Sequence, residues 1–322
     1  MVNRRLMLTL AAFTATPYLS KAQRRERVTY AVPMTIAAVP AYVAADRGFW
    51  ADEGLDVSMQ FFPSGRQALD ALLGGTAEIM SVSETPPMHA VIQGQRVVWV
   101  GTTTKHREVK LTVRSDRIAT PADIRGKRIA TAPGTNSDYY LYQWLSQNGL
   151  HPQDVQILSM QPPAMVQAFI QGSIDAMAAW EPHNYAAYSR VPTMSRSLPN
   201  DLYEGRHCII MNQAYAVRNK VTVERMIRGF VAAERYISAE PDAAKQITVK
   251  ATGVDPETLN ALWSEYEFRV QLDDKLLDIL ALQANWAIST SRTSVRTPSF
   301  RDFMYPDAMR EVLPDRLGSR FR

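Results

Sequence analysis

Gln67-Ala68-Leu69-Asp70-Ala71-Leu72-Leu73-Gly74-Gly75-Thr76-Ala77-Glu78-Ile79-Met80-Ser81-Val82-Ser83-Glu84 has a counterpart further along the chain, Gln167-Ala168-Phe169-Ile170-Gln171-Gly172-Ser173-Ile174-Asp175-Ala176-Met177-Ala178-Ala179-Trp180-Glu181. Each stretch reads as a helix stopped by glycine and then a buried strand that ends on a glutamate. From Gly75 and Gly172 onward the two run at a constant spacing of 97 residues, with Glu78 against Asp175 and Met80 against Met177. One supersecondary unit occurring twice predicts two α/β lobes of like design.

Working outward, strand and helix patterns alternate on both sides of each copy. Val28–Val32, Asp56–Phe62, Ile79–Val82 and Val97–Val100 read as strands around the helical stretches at Tyr42–Ala45 and Gly65–Gly74. The alternation resumes with strands at Arg128–Ala132, Val155–Ser159 and Ala176–Ala179 and helices at Ser137–Gln147 and Ala164–Gln171. This order implies parallel pairing with right-handed crossovers. The second copy is read as a lobe inserted into the first, entered and left through hinge strands at Val109–Val113 and Cys208–Val217. The expected division is 23–108 with 217–322 as the first lobe and 109–216 as the second. Helices are expected at Glu224–Ser238, Pro241–Ala251, Pro256–Phe268 and Leu276–Thr290, then a surface tail to Arg322.

Residues 1–22 carry Arg4 and Arg5, an uncharged run from Leu6 to Ser20 and a small-x-small site at Ser20-Lys21-Ala22, the pattern of a secretory signal. Its apolar middle is too short to span a bilayer and is broken by Pro17. Arg4-Arg5-Leu6-Met7-Leu8 weakly resembles a twin-arginine signal. The segment holds three of the 36 basic residues and none of the 32 acidic ones, so from Gln23 on the net charge is +1. That near balance removes the electrostatic case for nucleic-acid binding. No cysteine follows the signal, so a lipoprotein anchor is not expected and the product should be free in the periplasm. Cys208 is the single cysteine, which excludes an intramolecular disulfide, a CxxC redox pair and a thiolate-rich zinc site.

Open α/β sheets bind ligands beyond the carboxyl ends of their strands, against helix N-termini. The candidate loops are therefore Pro33-Met34-Thr35, Ser83-Glu84-Thr85-Pro86, Gly101-Thr102-Thr103-Thr104, Pro133-Gly134-Thr135-Asn136-Ser137 and Trp180-Glu181-Pro182-His183. Hydroxyl and amide donors recur at these ends; each is also a good helix cap, and it is their coincidence around one presumed cleft that points to a site. No G-x-S-x-G elbow, phosphate loop, dinucleotide fingerprint or H-E-x-x-H motif is present. His89, His106, His151, His183 and His207 lack ligand spacing, so no metal and no cofactor are expected. Glu84 and Glu181 occupy equivalent ends of the repeat and read better as carboxylates bonded to their own loop, or to a ligand amine, than as an acid and base pair.

Pro40-Ala41-Tyr42-Val43-Ala44-Ala45-Asp46-Arg47-Gly48-Phe49-Trp50 followed by Glu53-Gly54-Leu55-Asp56-Val57 resembles the opening signature of the periplasmic solute-binding proteins of nitrate, sulfonate and taurine ABC importers. Asp123-Ile124-Arg125-Gly126-Lys127-Arg128-Ile129, Gly134-Thr135, Gly172-x-x-Asp175-Ala176 and Trp180-x-Pro182 agree in order and spacing. The resemblance implies a type II, two-lobe periplasmic binding protein with a cleft between two mixed, mostly parallel sheets. It also implies a monomer that captures a small-molecule ligand and hands it to a membrane ABC permease with its ATPase. Carried onto this chain, the family's ligand loops fall on Met34, Thr35, Ser83, Thr85, Thr102, Thr103, Gly134, Thr135, Asn136, Trp180 and Glu181, with Tyr42 and Trp180 lining an apolar end. Neutral donors would hold an anionic head group of a small sulfonate, carboxylate or aromatic compound; an uncharged pyrimidine-like ligand suits Trp180, Tyr139 and Glu181 as well. Some relatives on this fold are enzymes acting on sulfur or pyrimidine compounds, but they resemble chains with a reactive cysteine or clustered histidines at the cleft.

Overall fold

The computed structural model describes residues 25–291 and 296–322, so the expected signal at 1–22 lies outside the described residues. Eleven strands are described: β1 (Glu26–Pro33), β2 (Leu55–Phe62), β3 (Ile79–Ser83), β4 (Val97–His106), β5 (Lys110–Arg114), β6 (Arg128–Thr131), β7 (Gln156–Ser159), β8 (Ala176–Ala179), β9 (Ser195–Leu198), β10 (Gly205–Asn212) and β11 (Tyr266–Gln271). They form a six-stranded sheet in the order β11-β4-β10-β3-β1-β2 and a five-stranded sheet in the order β7-β6-β8-β5-β9.

The repeat has a matching structure. In one sheet β1 lies between β2 and β3, all parallel; in the other β6 lies between β7 and β8, again all parallel. Gly75 and Gly172 both take left-handed backbone, at φ +73° and +74°, so each can end a helix and turn into a strand without a Cβ clash. Glu78 accepts the Thr29 N–H at 2.7 Å, and Asp175 accepts the Arg128 N–H at 2.9 Å. The same acidic position thus ties each repeat unit to the middle strand of its own parallel trio.

Among the described strands, parallel ladders are confined to these two trios, with isolated parallel bridges at Trp99–Met304 and Leu272–Leu317 beside them. β10 and β4, and likewise β5 and β9, join their sheets antiparallel, because they are the strands by which the chain passes between lobes and returns. The expected boundaries move accordingly. β5 already belongs to the second sheet, and β10 pairs with β3 and β4 in the first. Residues 205–216 therefore sit with the first sheet instead of the second lobe, and the chain crosses between sheets at 107–109 and 199–204. The helix expected at Pro256–Phe268 stops at Leu262; after a 3-10 turn the chain becomes β11, an antiparallel partner of β4.

Two separate hydrophobic cores result, one under each sheet. The tail is more than a surface strap, since Phe300, Met309, Leu317 and Phe321 are buried in the first core. Helix Lys275–Ser291 belongs to the first lobe but leans across the second: its Ile279 and Trp286 pack on the second core, and Trp286 meets the Tyr139 and Tyr142 rings of helix Asn136–Gln147. Among the described residues, no helix is long and apolar enough to cross a membrane.

Candidate functional site

The carboxyl ends of β1 and β3 face those of β6 and β8 across a narrow, open-mouthed cavity. The first lobe contributes Pro33, Thr35, Gly65, Val82, Ser83, Pro86 and His207, and the second contributes Thr135, Asn136 and Trp180. Glu108, on the outgoing crossover, lines the cavity between them.

Helix geometry supplies donors from both sides. Helix Gly65–Leu73 and helix Asn136–Gln147 begin at the cavity, and their first intrahelical bonds come from Ala68 and Tyr139. The N–H groups of the first turn at each start have no intrahelical acceptor, and the aligned peptide dipoles place partial positive charge there. Gly65 allows the close approach of its helix to β3, since a Cβ would lie 2.2 Å from Val82 Cγ2. Among the described residues, the Ser83 hydroxyl and the Asn136 amide hydrogen-bond to no other protein group, although Asn136 is only 3% exposed. Thr135 is engaged locally, donating to Ala132 O at 2.7 Å.

Among the described residues, the lining holds one carboxylate and neither lysine nor arginine. Glu108 is 3% exposed; its Oε2 accepts from Thr35 Oγ1 at 3.1 Å and from Tyr266 Oη at 2.8 Å. Burial pushes its carboxyl up to about 8, against the lowering effect of those hydroxyls. His207 lies 2.9 Å from Ser81 Oγ, and burial brings its imidazole down to about 3, so it is neutral at ordinary pH.

Of the candidate residues read from sequence, Thr35, Ser83, Thr135, Asn136 and Trp180 meet at this cavity. Met34 points outward at 45% exposure. Tyr42 is buried behind the first loop, donating to Thr35 O at 3.0 Å, with its ring against Phe61. Thr85 donates to Gln283 Oε1 at 2.9 Å, away from the cavity. Thr102 and Thr103 are not in a loop at all: β4 runs on to His106, and their hydroxyls donate to Gln271 O and His207 O within the sheet. Gly134 forms the left-handed turn before helix Asn136–Gln147 at φ +70° and supplies no side chain. Tyr139, offered for a ring-shaped ligand, packs on Tyr203 and Trp286.

Glu181 and Glu84 grip the two crossovers. Burial raises Glu181 to about 7 even though Lys110 Nζ lies 3.2 Å from its Oε1, and its other oxygen accepts the Tyr185 N–H at 2.8 Å. Glu84 is fully enclosed; it accepts from the Tyr203 hydroxyl, from Gln283 Nε2 at 2.6 Å and from the Arg206 N–H at 2.9 Å. Equivalent carboxylates thus fasten the outgoing and returning chain. Cys208 is buried in β10, and burial pushes its thiol well above the ordinary range. Glu108 escaped the sequence reading because it sits in the charged run Lys105-His106-Arg107-Glu108, which resembles a solvated turn.

The profile of a family described as "NMT1/THI5 like" matches residues 36–244. The chain belongs to that family. Among its relatives, a putative aliphatic sulfonates-binding protein of Escherichia coli (strain K12) is 27% identical over 233 residues, covering 72% of this chain and 73% of that one. The taurine-binding periplasmic protein of the same organism is 30% identical over 181 residues, 56% of this chain and 54% of its own. In three dimensions the chain shares the fold of the alkanesulfonate-binding protein SsuA from Xanthomonas axonopodis pv. citri bound to MOPS, with a TM-score of 0.77 at 20% identity over 88% of this chain and 100% of that one. The fold is thus that of the two-lobe periplasmic binding proteins, as the signature around Pro40–Trp50 implied.

Proposed function

We propose that the chain is the extracytoplasmic solute-binding component of an ABC importer, one that captures a small organic anion between its lobes and delivers it to a membrane permease with its ATPase. The observation that carries this reading is the convergence of two helix N-termini, one from each lobe, on a single cavity with unused Ser83 and Asn136 groups beside them. Such a site binds a sulfonate or carboxylate through neutral donors and fixed dipoles, without a lysine or arginine. The ligand bridges the lobes, so its contacts exist only when they are together, and the crossovers at 107–109 and 199–204 serve as the hinge. The sulfonate-binding and taurine-binding names of the relatives support this ligand class.

We further propose binding without conversion. The groups best suited to chemistry are otherwise employed: Glu84 and Glu181 hold the crossovers and Cys208 is sealed inside β10. Titration of small sulfonates and carboxylates with a thermal-shift readout tests the reading. A ligand at a hundred times its dissociation constant adds about 2.7 kcal/mol of stability. Failure of every such compound to raise the midpoint, or chemical change of the bound compound on incubation, overturns it.

A further inference from the structure

We propose that Trp286 is a latch between the lobes: standing outside the cavity, it holds the ligand-free chain closed and keeps the start of helix Asn136–Gln147 at the site. The inference rests on the solute-binding reading above and adds how the cleft is kept shut.

Helix Lys275–Ser291 is anchored in the first lobe. Leu276, Leu280, Ala284 and Ala287, spaced by three or four residues, are buried in its core. Gln283 ties the helix to the end of β3, donating from Nε2 to Glu84 at 2.6 Å and accepting from the Thr85 hydroxyl at 2.9 Å. A second stripe of the same helix, Ile279 and Trp286 seven residues on, packs on the second core. The Trp286 indole meets Tyr139 at 5.3 Å and Tyr142 at 5.9 Å between ring centroids, both on the second lobe, and His89 of helix Thr85–Ile92 at 5.9 Å on the first. Tilted and edge-to-face rings at these separations attract one another. Tyr139 and Tyr142 stand on the helix whose first residue, Asn136, lines the cavity. A grip on those rings therefore fixes one helix start against the other at Gly65. Trp286, Tyr139, Tyr142 and His89 do not themselves line the cavity, so Trp286 is a positioning residue.

The contact can also release. A groove lined by Leu141, Leu145 and Ile157 runs beside the indole, so the ring pairing can part without tearing a close-packed core. Trp286 Nε1 is buried with no hydrogen-bond acceptor among the described residues, and His89 Nε2 is equally without a partner. Closing thus costs the hydration of an indole N–H and gains the ring contacts; opening reverses both. Opposed terms of similar size make a two-state element, closed at rest and opened at modest cost.

Small-angle X-ray scattering of the ligand-free full chain tests this first. Trp286→Ala should have a larger radius of gyration than the native chain, and Tyr142→Ala, which cuts the same contact from the other lobe, should shift it the same way. A native radius in either variant that keeps the native circular dichroism overturns the latch. Stopped-flow and calorimetric titration with ethanesulfonate give the second readout. With the closed fraction reduced to about one tenth, Trp286→Ala should bind about tenfold more weakly yet associate faster, because the compound enters an open cleft. A side chain that merely stabilised the fold would not speed association. An unchanged dissociation constant, or slower association, also overturns the latch. Failure of both ethanesulfonate and propanoate to bind the native chain counts against the solute-binding reading, while scattering decides the latch on its own.

Discussion

Lys110 Nζ lies 2.5 Å from Glu265 Oε1, and through this contact the first residue of β5 in the second lobe is bonded to the turn that precedes β11 in the first. The same ammonium reaches Glu181, whose side chain is wholly enclosed, so one cation is shared by a carboxylate from each lobe at the hinge. Burial works against the charge on Lys110, but Glu181 and Glu265 outweigh it and hold its pKa above the ordinary value.

Lys110→Met should therefore destabilise the fold by about 3 kcal/mol, because it leaves Glu181 buried without its counter-charge. Adding Glu181→Gln removes the orphaned charge and should restore a large part of the loss. Urea unfolding followed by tryptophan fluorescence measures both. If the double variant is as unstable as the sum of the single ones, the two side chains do not act as a pair.

Asn136→Ala and Ser83→Ala should each weaken ligand binding about tenfold and leave stability within about 0.5 kcal/mol, since neither side chain hydrogen-bonds to another of the described residues. Thr135→Ala is a less clean probe, because its hydroxyl also serves Ala132 O and its loss costs about 1 kcal/mol. Trp180→Ala is poorer still: the ring is 5% exposed and packs on His183, so its removal costs about 3 kcal/mol of stability along with any binding. Unchanged affinity in both Asn136→Ala and Ser83→Ala would place the ligand elsewhere.

The first lobe offers a control that touches no part of the site. Gly229, in helix Lys220–Ala239, faces the indole of Trp50, and a Cβ there would stand 2.1 Å from Trp50 Cδ1. Trp50 cannot yield easily: it is 1% exposed, its Nε1 donates to Met226 O at 3.2 Å, and it meets Phe230 edge to face. Alanine is the better helix former, yet overpacking should win, so that Gly229→Ala lowers stability by about 1–3 kcal/mol without changing ligand affinity. Chemical denaturation beside calorimetric titration separates the two; a stabilised variant would mean that the helix moves aside freely.

What the chain's own text reveals depends on how local the cause is. The glycine and acidic pair at Gly75 and Glu78, repeated at Gly172 and Asp175, was legible because each acts within its own strand-helix-strand unit. Gly101-Thr102-Thr103-Thr104 reads as a polar loop because its hydroxyl acceptors, Gln271 O, His207 O and Ala37 O, arrive from distant parts of the chain. β11 reads as the end of a helix for the same reason: its extended form is set by pairing with β4, about 160 residues earlier. Glu108 carried no motif. The signal that could have found it is topological, since a chain that threads between two lobes passes the back of their cleft each time it crosses.

The final prediction concerns pH. Glu108 and Glu181 are held above their ordinary value, at about 8 and about 7, chiefly by burial, with Glu265 adding like charge to both and Lys110 easing Glu181. A carboxyl whose folded pKa exceeds its unfolded one binds its proton more tightly in the folded state, so its contribution is fully present below about pH 4.5 and is lost as pH rises toward the folded value. His183 and His207 act in the opposite sense: burial lowers them to about 4 and about 3, and the stability they contribute above about pH 6.5 fades as pH falls. The melting temperature of the ligand-free chain should thus drop between pH 6.5 and 8.5, where the histidines are already neutral and the two carboxyls are still ionising. Glu108→Gln, which cannot ionise, should flatten that fall. Melting curves at half-unit pH steps decide it: an equal slope in native chain and variant would mean that Glu108 is already ionised at pH 6.5 and meets a counter-charge within the protein.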